Sequence, residues 1–137
     1  MPQHQLMVWK KEFSVGSDSI DEQHLRIFNA INKLYSAIQE RKQALHLNEI
    51  LDELKIYIKV HFEEEAKELK RINYIELDKH LAEHGAFGKK IMDMIRESKV
   101  SSGDMSYDLL YFLKDWLVNH ILTTDKKYVP FLAAHKN

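Results

Sequence analysis

Apolar residues recur at steps of three and four along almost the whole chain, and very little interrupts them. That spacing is the period of an α-helix with one face turned to a core. The 137 residues include only 4 glycines and 2 prolines, and no stretch shows the alternation of a strand. Four helical segments are predicted. The first covers residues 19–41, opening on a Ser19/Glu22 capping box, with Ile20, Ile27, Phe28, Ile31, Leu34, Tyr35 and Ile38 along one side. The second, 48–72, is capped by Asn48 and carries Ile50, Leu51, Leu54, Ile58, Phe62, Leu69 and Ile72. The third, 76–98, aligns Leu77, Leu81, Phe87, Ile91, Met94 and Ile95. Ser101-Ser102-Gly103-Asp104 breaks the pattern, and the fourth follows over 105–128 with Leu109, Leu110, Leu113, Trp116, Leu117 and Ile121, until Pro130 stops it. Connections this short join antiparallel neighbours. The expected fold is therefore all-α: an up-down-up-down four-helix bundle forming one domain over residues 1–137, with an N-terminal arm, 1–18, whose Trp9, Phe13 and Val15 lie across it.

Helical phase also shows which polar residues fall inside the apolar stripes, where burial is costly unless something satisfies them. His24 sits between Ile20 and Phe28. His61 and Glu65 continue the line from Leu54 and Ile58, His80 and His84 lie between Leu77 and Phe87, and His120 follows Leu113 and Trp116. Every helix thus turns an imidazole inward. A single inward histidine is satisfied by one hydrogen-bond partner, but five of them with a glutamate in so small a core could not all satisfy one another. A metal is the economical solution. The pairs His61/Glu65 and His80/His84 are four residues apart, so each converges on one side of its helix. Asp125 is less regular, because a residue five places beyond His120 points about 140° away on an ideal helix. It joins the group through a local π-bulge or by reaching round, or it is a surface residue beside Lys126 and Lys127.

The chain has no cysteine, which excludes disulfides, thiolate zinc sites, cysteine-bound iron–sulfur clusters and a cysteine nucleophile. Any metal is held by nitrogen and oxygen. With a formal net charge of -1 and basic and acidic residues interleaved, as in Lys67-Glu68-Leu69-Lys70-Arg71, no nucleic-acid footprint is expected. No apolar run has the length of a signal peptide or a membrane span, so a cytoplasmic protein without membrane insertion is the expectation. His4, His46 and His135 fall in the arm, a loop and the tail and are read as surface residues.

Five imidazoles and two carboxylates exceed the needs of one ion. If Glu65 and Asp125 each bridge, two six-coordinate metals receive five nitrogens and four oxygens, and an oxo or hydroxo bridge fills two further positions, leaving one of the twelve open. A single open position beside two redox partners suits reversible binding of a small molecule. Nitrogen-rich octahedral coordination favours iron over magnesium, calcium or zinc, with manganese and cobalt still open.

Together, Ile20-Asp21-Glu22-Gln23-His24, His61-Phe62-Glu63-Glu64-Glu65, His80 with His84, and Trp116-Leu117-Val118-Asn119-His120-Ile121 leading to Asp125 resemble the hemerythrin family, specifically its single-domain bacterial members. The likeness extends to Phe13-Ser14-Val15-Gly16 before the first helix. The resemblance implies two iron ions (Fe2+/Fe3+) with an oxo or hydroxo bridge and makes Asp125 the second bridging carboxylate. It implies that His80, His84 and His120 fill one iron, while His24 and His61 leave the other an open position for dioxygen. It further implies a pocket around Leu117 and Ile121, with Phe62 and Trp116 as walls. Tyr74-Ile75 stands where many relatives have a proline, which leaves the turn before His80 open. Gly88 lies near the inward direction of the third helix and is expected to thin the wall of the site.

The function expected on these grounds is an oxygen carrier, store or supplier and not an enzyme, since no further acid or base is found on the inward stripes to deliver protons. A di-iron oxidase, peroxidase or nitric-oxide-handling enzyme is the alternative. A sensor acting through a partner is a third reading.

Overall fold

A computed structural model describes residues 5–100 and 106–135. The elements are α1 (Asp18–Gln39), α2 (Gln43–Arg71), α3 (Leu77–Val100), α4 (Ser106–Asn119) and a short α5 (Val129–Ala134). Between α4 and α5 the chain makes a π turn over His120–Thr124 and a 3-10 turn over Asp125–Tyr128. α1 packs on α2 and α4, and α3 packs on the same two helices. Side-chain pairing shows the directions: His24 meets His61 while Lys33 meets Glu53, Glu65 meets His80 while Phe62 meets Phe87, and His84 meets His120 while Phe87 meets Trp116. Successive helices therefore run antiparallel, as the connection lengths predicted.

The helix limits depart from expectation in instructive ways. α1 is capped by Ser17, whose hydroxyl accepts from the Ile20 N–H at 3.3 Å, and not by Ser19. The entry is fixed from outside the helix, because the Asp21 carboxylate accepts from Ser14 Oγ and Val15 N, at 2.6 and 2.9 Å. α2 begins at Gln43 and not at Asn48, so residue 46 lies in a helix and not in a loop. Nothing between 43 and 48 breaks a helix, and Arg41 takes a φ of 58° to make the turn in three residues. The turn before α3 closes without proline. Asn73, φ 54°, ends α2 in the left-handed conformation that asparagine tolerates, and the Tyr74 N–H reaches the Leu69 carbonyl at 3.0 Å. Pro130 does not stop the last helix; it sits in the first turn of α5, where its missing N–H has no partner to lose. The predicted break at Ser101–Asp104, His4 and the side chain of His46 lie outside the described residues.

The arm packs as predicted. Met7, Phe13 and Val15 are buried, and Trp9 lies 5.4 Å from Phe28 between ring centroids. The apolar interior forms two clusters. The larger includes Ile27, Phe28, Ile31, Ile58, Phe87, Leu113 and Leu117; the smaller gathers Val15, Ile20, Leu69, Ile72, Tyr74, Tyr128 and Leu132. On each helix the inward polar residues fall between them, so a polar layer divides the core. Leu81, expected to face inward, is 36% exposed because it lies one residue out of phase with His80 and His84. No helix among the described residues is long and apolar enough to cross a membrane.

Candidate metal centre

The five inward histidines and Glu65 meet in this layer, and Asp125 joins them; none of the seven is more than 5% exposed. α1 supplies His24, α2 supplies His61 and Glu65 one turn apart, and α3 supplies His80 and His84 one turn apart. His120 opens the π turn and Asp125 follows it. The wider winding of that turn absorbs the angular mismatch of a five-residue step, leaving Asp125 Oδ1 3.0 Å from His120 Nε2. Of the two readings open for Asp125, the buried one through a π-bulge is what the fold adopts.

All five rings turn Nε2 to the centre. His24 and His61 bring these nitrogens to 3.0 Å, and His84 and His120 to 3.1 Å. Glu65 divides its oxygens: Oε1 lies 2.6 Å from His80 Nε2 and 3.0 Å from His84 Nε2, while Oε2 lies 3.6 Å from His61 Nε2. Asp125 does the same, with Oδ1 3.4 Å from His80 Nε2 and Oδ2 3.4 Å from His24 Nε2. Among the described residues, two groups of potential ligands result, sharing both carboxylates: His80, His84 and His120 on one side, His24 and His61 on the other. Ligand atoms at right angles around an ion with bonds of about 2.1 Å are about 3 Å apart, which is the spacing of the paired nitrogens.

Protonation suits cation binding at His24 and His61. Burial lowers His24 to about 4 and His61 to about 3, against the attraction of Glu65, so both rings are neutral near pH 7 and present a lone pair. Burial lowers His84 as well. His120 goes the other way: burial opposes its charge, but Asp125 and Glu83 lift it to about 9. Burial also opposes ionisation of Glu65, yet its carboxyl is held well below the usual range. With His61 itself neutral, the close ring nitrogens of His80 and His84 account for this. Asp125 is raised by burial and by the charge of Glu65, against the pull of the His120 ring nitrogen 3.0 Å from its Oδ1, and its Oδ2 has no hydrogen-bond partner. Two adjacent carboxylates in a dry interior carry a cost that bound cations remove. The nitrogen and oxygen donor set fits iron.

Four contacts around this core were not anticipated. His61 Nδ1 meets Gln23 Oε1 at 3.0 Å, and His120 Nδ1 meets Glu83 Oε1 at 2.9 Å. Thr124 Oγ1 donates to both Glu83 oxygens, at 2.8 and 3.0 Å, and the Tyr128 hydroxyl donates to Glu65 Oε2 at 2.7 Å. Gln23 and Glu83 each precede an inward histidine by one residue, which puts them off the stripe. Tyr128, three residues after Asp125, shares its face, because residues three apart eclipse one another in the 3-10 turn there. Acid and base groups thus exist beyond the ligands, contrary to the expectation from the inward stripes.

Beside the centre lies an apolar cavity of about 10 Å³, bounded by His61 and His120 and walled by Phe62, Phe87, Trp116 and Leu117, with Ile27, Ile31, Ile58 and Leu113 completing it. That is room for about one water-sized sphere. Phe62 stacks on His84 at 3.8 Å and Trp116 on His120 at 4.3 Å between centroids. Ile121 is fully buried but does not line the cavity. Gly88 is not among the residues that line the cavity, and a Cβ there would meet nothing within 4 Å.

Residues 15–132 match the family model described as the hemerythrin HHE cation binding domain. The chain is 34% identical to a bacteriohemerythrin of Clostridium acetobutylicum, over 90% of this chain and 99% of that protein. It is 32% identical to a bacteriohemerythrin of Methylococcus capsulatus, over 94% and 98%. A crystal structure of wild-type hemerythrin aligns with a TM-score of 0.84 at 32% identity, covering 93% of this chain and 98% of that one.

Proposed function

The chain belongs to the hemerythrin family, and on that premise we propose that it binds dioxygen reversibly at a non-haem di-iron centre held by the seven buried residues. His80, His84 and His120 would hold one iron and His24 and His61 the other, with Glu65 and Asp125 available to both. The observation that carries this is the unequal division of histidines about two shared carboxylates. The half with two histidines offers fewer protein ligands, so a metal held there would keep a position for dioxygen. Two ferrous ions supply the electrons and the open coordination position that such binding requires.

The surrounding residues favour binding over turnover. Cleaving the O–O bond needs delivered protons, and the cavity walls are apolar apart from the rings of His61 and His120. Tyr128 is engaged by Glu65, and burial with the charge of Glu65 pushes its phenol well above the usual range, so it keeps its proton. Glu83 is engaged by His120 and Thr124. Neither lines the cavity. The protein is therefore a carrier, store or supplier of dioxygen rather than an oxidase.

The test is to strip the metal, restore ferrous iron without oxygen, admit air and then remove it. The expected result is two irons per chain and a visible band that appears and disappears with oxygen. His24→Ala and His61→Ala abolish that band. Irreversible oxidation with consumption of a reductant would overturn the carrier reading.

A further inference from the structure

The two halves of the proposed ligand set differ in what stands behind them. In each half one histidine has its outward ring nitrogen held by a side chain: His61 by the neutral amide oxygen of Gln23 at 3.0 Å, His120 by the carboxylate of Glu83 at 2.9 Å. The outward nitrogens of His24, His80 and His84 have no hydrogen-bond partner. With Nε2 of each ring given to a metal, the proton of His61 and of His120 is left on Nδ1 and is donated outward, to Gln23 and to Glu83. A carboxylate accepts such a bond about twice as strongly as a neutral acceptor and passes electron density to the ring.

Glu83 is built into place. Thr124 donates to both of its oxygens, at 2.8 and 3.0 Å, and reaches them from the π turn that also carries His120. Trp116 lies on the face of the His120 ring, nearly parallel at 13°. The ring is thus fixed at its face and its outer edge. The Glu83 side chain is 42% exposed and keeps part of its hydration, whereas the His120 ring it touches is 1% exposed. The charge therefore stands at the surface with its hydrogen bond directed into the core.

We infer that Glu83 is a positioning residue that, through its charge, fixes the His120 tautomer and makes the three-histidine half hold its iron more tightly than the half backed by Gln23. The two ions then fill and leave in a fixed order. This rests on the ligand assignment proposed above. Partners of this kind change metal affinity by about 10–100-fold.

The experiment follows release of ferrous iron from the fully loaded chain to a colorimetric chelator without oxygen. Wild type releases two ions in two phases. Glu83→Ala speeds the slow phase by about 10–100-fold and leaves the fast phase unchanged. Glu83→Gln, which keeps an acceptor oxygen without the charge, falls between, and Gln23→Ala speeds only the fast phase. The inference is overturned if Glu83→Ala alters neither phase or both alike, or if Glu83→Gln releases iron as slowly as wild type. If wild type holds fewer than two ions, or His120→Ala still holds two, the ligand assignment itself fails.

Discussion

Asn32 ties the arm to the bundle, and replacing it gives a cost that can be worked from its bonds. Its Oδ1 accepts from the Leu6 and Met7 N–H groups at 2.9 and 2.8 Å, and its Nδ2 donates to the Met7 carbonyl at 2.8 Å. Asn32 is 8% exposed and Met7 5%. Asn32→Leu keeps the branching of the side chain and removes all three bonds. The Leu6 amide is half-buried and regains water, at little net loss. The Met7 N–H and carbonyl are buried, and each unsatisfied buried group costs about 1–3 kcal/mol, so about 2–6 kcal/mol is expected for the two. The arm does not simply detach to avoid this. Burial of Met7, Phe13 and Val15 stabilises its docking by about 1.5–3 kcal/mol per side chain, and the Lys126 ammonium donates to the Ser14 carbonyl at 2.7 Å. Urea unfolding measures the loss, and hydrogen exchange locates it: the Met7 amide exchanges faster while mid-α1 amides change only with global stability. A loss under about 0.5 kcal/mol, within the range of ordinary surface changes, or unchanged protection at Met7, would refute the reasoning.

Acid and metal act in opposition on the same rings. The folded values of His24 and His61, about 4 and 3, lie below the unfolded 6.5, so stability present above pH 6.5 is lost as pH falls toward them. Metal needs the neutral rings, so the acid midpoint followed by circular dichroism lies lower in the loaded protein than in the stripped one; equal midpoints would count against these ligands. Tyr128→Phe removes the buried donor to Glu65 and destabilises the stripped protein by about 1–3 kcal/mol, less once metal occupies the carboxylate. Calorimetry on both forms checks this, and an equal loss in each speaks against metal at Glu65. Gly88→Ala, in mid-helix with open space around the new methyl, raises stability by about 0.5–1 kcal/mol in chemical denaturation and leaves the dioxygen association rate unchanged. A slowed association would return that glycine to the wall of the site.

Helical phase alone pointed His24, His61, Glu65, His80, His84 and His120 inward, because side-chain direction in a regular helix is fixed by position in the chain. The same rule, with the scarcity of breakers, made a four-helix bundle legible. It fell short where the backbone leaves regularity: Asp125 enters the centre through a π turn, Pro130 starts a helix, and Arg41 lets α2 begin early. It fell short also for Gln23, Glu83, Thr124 and Tyr128, which lie off the stripe or beyond the regular helix and gain their roles from rings on other elements. Phase gives the direction of a side chain, not what stands opposite it. The sequence determined which residues face the core; the packing of the helices decided how the carboxylates divide between two sets of histidines, and which of those sets has a charge behind it.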